Sequence, residues 1–249
     1  MEELDTEEKI LKLVEQSLEL YRQGKYGEAI SCYDNIIKLD PEYGDAHYNK
    51  GIALFDQGLF EESNKCYDQI IKIDPTHKEV WLNKGVNLFM LGKYEESIEC
   101  YDESIKIDSK DDMGWSNKGE SLVLLDRYEE AMTCYDESIK INDKSAYVLF
   151  MKSKLLFDLK KYEESIQFCD KSIKIDPEDS DVLFCKGNSL KKLGREEEAQ
   201  QCITRAKELE KWTNRKTNAI AIIITVFNIL LKDSIYLRNY FISRKGIAS

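Results

Sequence analysis

One interval governs this chain: 34 residues. Cys32, Cys66, Cys100 and Cys134 are spaced by it, and Cys202 lies two intervals beyond Cys134. Tyr33, Tyr67, Tyr101 and Tyr135 keep the same spacing, as do Gly24, Gly58 and Gly92, then Gly51, Gly85 and Gly119. Lys50, Lys84, Lys118, Lys152 and Lys186 form a further series. A fixed period of this length is the mark of a helical solenoid, whose units stack on their neighbours instead of enclosing one global core.

The model unit is 44–77, GDAHYNKGIALFDQGLFEESNKCYDQIIKIDPTH. His47, Gly51, Leu54 and Phe55 fall at helical spacing in its first half. Phe60, Ser63, Tyr67, Ile70 and Ile71 do so in its second. Two amphipathic helices are expected, broken at Gly58, where a left-handed backbone costs little, and ended at Asp74-Pro75. A short turn makes the pair antiparallel, and close approach requires small residues. The first helix supplies Ser17, Gly51, Gly85, Gly119, Ser153 and Gly187; the second supplies Ala29, Ser63, Ser97, Ala131, Ser165 and Ala199. The large Tyr33 series fills the space between them and continues as Cys169 and Ile203, so the last two repeats pack differently. Breaks between paired helices are expected near Gly24, Gly58, Gly92, Asp126, Lys160 and Gly194.

These features resemble the tetratricopeptide repeat, in the form common in archaeal and bacterial members. Trp81 and Trp115 match the family's large fourth place, the two small series its eighth and twentieth, and Pro41, Pro75 and Pro177 its closing proline. Ser109, Asp143 and Lys211 replace that proline, so those junctions are expected to be less sharply specified. Lysine replaces the usual leucine at the seventh place in repeats two to six; its stem can cover apolar surface while the ammonium reaches water. The resemblance covers 10–213 in six repeats: 10–43, 44–77, 78–111, 112–145, 146–179 and 180–213. It implies an all-α, right-handed superhelix with the first helices lining its concave face. Residues 1–9 form an acidic lead-in, and 214–249 a separate apolar, basic segment.

Charge narrows the function. The net charge of −11 argues against a nucleic acid as the main partner, since phosphates reward a basic surface. The acidic opening, MEELDTEEKILKL, lacks the basic flank and apolar core of a secretory signal, and seven mostly repeat-spaced cysteines make a poor disulfide framework. A cytoplasmic location with reduced thiols is expected. No enzyme is expected either. The only two histidines are His47, at a packing place, and His77. No CxxC, GxGxxG or GxxxxGK[ST] occurs, so neither metal nor cofactor is expected. The Glu pairs at 61–62, 95–96, 129–130 and 163–164 open second helices, where the helix dipole favours negative charge.

The groove is the better candidate. By family geometry, six places of each first helix face it: Asp45, Tyr48, Asn49, Ile52, Phe55 and Asp56 in repeat two, for example. From these series the chosen protein-binding residues are Tyr48, Asn49, Ile52, Leu82, Asn83, Val86, Asn117, Glu120, Phe150, Lys154 and Asn188. Asn49, Asn83 and Asn117 form a ladder whose amides both donate to and accept from a peptide backbone. The family's carboxylate clamp places lysine at the fifth place of the first helix. Here that place holds Val14, Tyr48, Leu82, Ser116, Phe150 and Phe184, which speaks against that role.

The end of the chain differs in kind. Residues 214–249 carry six basic side chains and one acidic one, net +5, against −16 for the rest. Within them AIAIIITVFNILL, residues 219–231, is 13 uncharged residues, short of the roughly 20 needed to span a bilayer. A helix capping the last repeat is expected there, and any membrane contact is confined to 216–245. The expected function is a monomeric scaffold that binds a protein or peptide segment in its groove. The alternative is a membrane-associated adaptor held by its C-terminal segment.

Overall fold

In the computed structural model, which describes residues 2–212, the sequence interval reappears as helix boundaries. Eleven helices run α1 (Glu2–Arg22), α2 (Tyr26–Leu39), α3 (Gly44–Asp56), α4 (Phe60–Ile73), α5 (Lys78–Met90), α6 (Tyr94–Ile107), α7 (Asp112–Leu124), α8 (Tyr128–Ile141), α9 (Ala146–Asp158), α10 (Tyr162–Ile175) and α11 (Ser180–Lys192). A twelfth, α12, covers 196–212. Among the described residues all regular structure is therefore helical, in six helix-turn-helix pairs. Residues 2–9 of the acidic lead-in belong to α1, which runs from Glu2 into the first repeat as one helix. The expected cap lies outside the described residues. The chain packs as two units that divide between Leu155 and Leu156.

The turn inside each pair uses one left-handed residue. Gly24, Gly58, Gly92 and Gly194 adopt φ of 72–76°, and Asp126 and Lys160 adopt 57° and 60° in the equivalent places. These are the six expected breaks. Glycine does this freely; aspartate tolerates it, and lysine pays for its Cβ.

Proline does not set the junctions between pairs. An Asx turn does. Each of the first five second helices is followed by a residue of extended conformation: Asp40, Asp74, Asp108, Asn142 and Asp176. Its side-chain oxygen accepts the N–H two residues on, in Glu42, Thr76, Lys110, Lys144 and Glu178, at 2.8–3.2 Å. The side chain replaces a backbone partner and holds the turn. The junctions at Ser109 and Asp143 thus keep the same form without proline, contrary to expectation. The next helix locks to this turn. Trp81 Nε1 donates to the Pro75 carbonyl at 2.9 Å and Trp115 Nε1 to Ser109 at 3.2 Å. His47 Nε2 sits 2.9 Å from the Pro41 carbonyl, an acceptor, so this nitrogen carries the proton.

Packing follows the two small series. A Cβ on Gly51, Gly85 or Gly119 would fall 2.6, 2.5 or 2.8 Å from the ring of Tyr67, Tyr101 or Tyr135. Those rings are almost wholly buried. The glycines are there to let the rings in. The lysine series behaves differently from expectation: the ammonium groups end on carboxylates one repeat back. Lys50, Lys84 and Lys118 reach Asp34, Asp68 and Asp102 at 2.6, 2.6 and 2.5 Å, Lys152 reaches Asp136, and Lys186 reaches Asp170 at 2.6 Å. Each pair ties a first helix to the preceding second helix.

A second set of junction contacts is buried. Asn87 Nδ2 donates to Ser63 Oγ at 2.9 Å and to Asn64 Oδ1 at 2.8 Å, while Ser63 Oγ donates to the Gly51 carbonyl. Ser97 and Ser121 share a hydrogen bond of 2.8 Å, and Ser165 and Ser189 one of 3.0 Å. The corresponding places at the other two junctions are apolar and buried: Ala29 and Ala53, then Ala131 and Leu155. Polar meets polar and apolar meets apolar, as burial demands.

Candidate functional site

Successive first helices of the first unit touch one another, three of the four neighbouring pairs through polar side-chain contacts. The Tyr21 hydroxyl donates to the Asp56 carboxylate, joining α1 to α3. Asn83 Nδ2 donates to Tyr48 Oη at 3.3 Å, joining α5 to α3. Helices α5 and α7 touch directly. The Tyr147 hydroxyl donates to Glu120 Oε1 at 2.8 Å, joining α9 to α7. A continuous face of first helices results.

A cavity of about 290 Å³ opens on this face between α3 and α5, lined by Ile52, Phe55, Asp56, Tyr67, Asn83 and Val86. Its walls are mainly apolar, with Asp56 and Asn83 supplying the polar groups. Beside it Tyr48 stacks on His77, ring centres 5.5 Å apart, and tilts against Tyr67. Burial pushes the Tyr67 phenol up to about 12, so it is a neutral wall at any ordinary pH.

Three of the chosen residues, Ile52, Asn83 and Val86, meet in this cavity, and Tyr48 adjoins it. Asn49 is half-buried and spends one amide hydrogen on the Asp45 carbonyl of its own helix, at 2.8 Å. Asn117 is half-buried on α7. Leu82 requires a correction: it is 6% exposed, part of the packing and not of the open wall. Helix α5 turns it inward, on the same side as the buried Gly85 three places on. Phe150 is half-buried with the exposed Lys154 ammonium over its ring, 5.7 Å from the centre. Asn188 is exposed on α11, in the second unit. Sequence reasoning passed over Tyr67, read only as packing, although it also lines the cavity. Its place in a pattern of buried tyrosines concealed that second role.

Glu120 is the unusual charge of this face. It is half-buried, and desolvation pushes its carboxyl above the usual range, opposed by the Tyr147 hydroxyl and the Lys154 ammonium. Its charge in turn helps to raise the phenols of Tyr101 and Tyr135. Tyr135 Oη is buried without a hydrogen-bond partner.

Nothing in this arrangement pairs a nucleophile with a base. Cys32, Cys66, Cys100 and Cys134 are buried, free thiols whose pKa burial raises, the reverse of activation. Among the described residues no group of histidine, cysteine and carboxylate side chains is placed to hold a metal ion.

Tetratricopeptide-repeat family models match 18–58, 44–77, 79–111, 114–145, 146–179 and 168–201. The chain belongs to the tetratricopeptide repeat family. Solved structures agree on the fold. PilF of Pseudomonas aeruginosa superposes with a TM-score of 0.70 at 17% identity, covering 82% of this chain and 93% of that one. MamA 41-end from Desulfovibrio magneticus RS-1 gives 0.63 at 18%, covering 68% and 95%. YrrB, described as a TPR protein with an unusual peptide-binding site, gives 0.60 at 15%, covering 72% and 92%. None of the curated proteins matches this sequence.

Proposed function

We propose that this tetratricopeptide repeat protein is a non-enzymatic scaffold that takes a peptide or helical segment of a partner protein on its first-helix face. The observation that carries this is the cavity between α3 and α5. It is apolar enough to hold one large side chain, and Asn83 at its edge can address a backbone. YrrB, a neighbour in fold, is described as having a peptide-binding site. Tyr48, Asn49, Ile52, Asn83, Val86, Asn117, Glu120, Phe150 and Lys154 make up the working surface in this reading, with Asn188 as an outlying contact. A right-handed superhelical course, a capping helix within 214–249, a monomeric state and a cytoplasmic location belong to the same proposal.

A photo-crosslinking residue at Val86 of the full chain, expressed in its own cell, tests it against one at Gln69, which lies on a second helix. A discrete protein adduct from Val86 alone is expected. Equal adducts from both positions, or none from Val86, would overturn the reading.

The second reading is a membrane-associated adaptor, favoured by the uncharged run 219–231 between Arg215-Lys216 and Lys232. Among the described residues no helix is long and apolar enough to cross a membrane. Flotation of the full chain with anionic vesicles, lost on Phe227→Asp, would favour this reading over the capping helix.

A further inference from the structure

The face described above has a lopsided charge. In repeats two to four its six places per first helix hold Asp45, Asp56, Glu79 and Glu120 and not one lysine or arginine. The lysines of these repeats are spent elsewhere: Lys50, Lys84 and Lys118 are bound to aspartates of the preceding second helices. Two of the four acids are placed to act on one ligand. Asp56 stands in the wall of the cavity, with the Tyr21 hydroxyl on its carboxylate. Glu120 occupies, on α7, the place that Ile52 and Val86 occupy in the cavity wall. It is half-buried and held by the Tyr147 hydroxyl on one carboxylate oxygen, with the exposed Lys154 ammonium of repeat five acting on it from a distance; the other oxygen is left for a donor in contact.

Spacing turns this into a pattern. From the cavity, between α3 and α5, to Glu120 on α7 is one and a half steps of about 10 Å, which three extended residues advancing about 3.3 Å each and the reach of an arginine side chain together cover. Resting on the peptide-binding reading above, we propose that the partner is a separate protein presenting an extended basic segment. An apolar side chain enters the cavity between α3 and α5, and an arginine or lysine three residues away pairs with Glu120. Asp56, Asp45 and Glu79 favour further positive charge around the anchor. The partner chemistry is therefore the opposite of a terminal carboxylate. A guanidinium suits Glu120 best, because a half-buried carboxylate gains most from a donor that is itself cheaply desolvated.

The test is fluorescence anisotropy of the full chain with a labelled peptide containing one phenylalanine and one arginine separated by two serines. Binding is expected to weaken about tenfold with Glu120→Gln, as for loss of a charge-assisted hydrogen bond. Glutamine keeps an acceptor for Tyr147, so the fold survives, and Asp56→Asn supplies a second variant for the anchor end. Binding should likewise fall when the arginine is moved beside the phenylalanine, or replaced by glutamate. Equal binding of the glutamate peptide, or indifference to both variants, would overturn the proposal. If the arginine peptide fails while Val86 still crosslinks a protein, the basic chemistry is wrong and the face remains a binding site. If Val86 fails too, the underlying reading goes with it. One competitor tests the source. A synthetic peptide of residues 234–249 carries Phe241 three places before Arg244. Displacement of the probe by it at tighter affinity than the probe's own would replace the outside partner with a second copy of this chain.

Discussion

Repeats two to four and repeat six solve one packing problem with different materials. In the former, a glycine on the first helix faces a buried tyrosine ring on the second; in the latter, Gly187 faces Ile203. The tyrosines are 0–2% exposed and fixed on every side, whereas Ile203 is half-buried. A pair of rigid, enclosed shapes specifies one helix separation. A pair with a rim-exposed aliphatic leaves room to adjust. The repeat sequence therefore sets tolerance as well as form.

The sharpest way to break this comparison is Gly85→Ala. Its methyl would stand 2.5 Å from a Tyr101 ring that is 1% exposed. About 3 kcal/mol of stability should be lost in urea unfolding, the upper end for overpacking. Tyr101→Leu in the same chain should recover part of it in a double-mutant cycle. A loss below that of the corresponding change in repeat six would reverse the ranking.

Smaller per residue, though comparable in sum, is an alkaline effect centred on the tyrosine-bearing repeats. Burial raises the Cys100 and Cys134 thiols from 9.0 to about 11. The folded state favours the neutral thiol. Its contribution is complete below pH 9 and is lost as pH climbs through 11, on the order of 2 kcal/mol per thiol. The urea midpoint should fall over that window, and Cys100→Ala with Cys134→Ala should flatten the fall.

Gly187→Ala should cost less, about 1 kcal/mol. Its methyl would meet Ile203 Cγ1 at 2.8 Å, a side chain with room to turn, and the Ala199 carbonyl at 3.2 Å. Faster hydrogen exchange in 180–212, without change in α3–α8, is the expected readout. The smallest effect has the opposite sign. Lys160 carries the left-handed turn that glycine carries in repeats one, two, three and six. Lys160→Gly should stabilise the chain by about 0.5 kcal/mol, measured by thermal unfolding, by relieving the Cβ.

The helices, their breaks and the glycine–tyrosine mates were legible because each repeats at a fixed interval, and repetition needs no knowledge of three dimensions. Even Lys160, which no propensity would put in a left-handed turn, was placed by register alone. What escaped were relations between different places of the repeat. The Cys-Tyr-Asp run is plain in the sequence, yet nothing there says that its aspartate meets a lysine 16 residues later. The same limit hid Asp40, Asp74, Asp108, Asn142 and Asp176, whose side chains do the work first credited to proline. In the site, the family resemblance named Ile52, Asn83 and Val86, which line the cavity. It misjudged Leu82, because one helical place decides between wall and core, and family geometry fixes that angle only coarsely.

The buried polar mates also decide which unit of this chain can be copied. Asn87 donates to the serine of the repeat before, and Ser97 shares a hydrogen bond with the serine of the repeat after. Repeat three thus carries a polar group on both of its faces, and a tandem duplicate would meet itself with the Ser–Asn pair already present one junction earlier. Duplicating repeat two would set Ala53 against Ser63, repeat four Ser121 against Ala131, and repeat five Leu155 against Ser165. Each of those errors buries a hydroxyl beside a hydrocarbon. Lengthening by unequal crossover is therefore cheap at one address in the interior of the array, so the spelling of two buried places records how such a chain can grow.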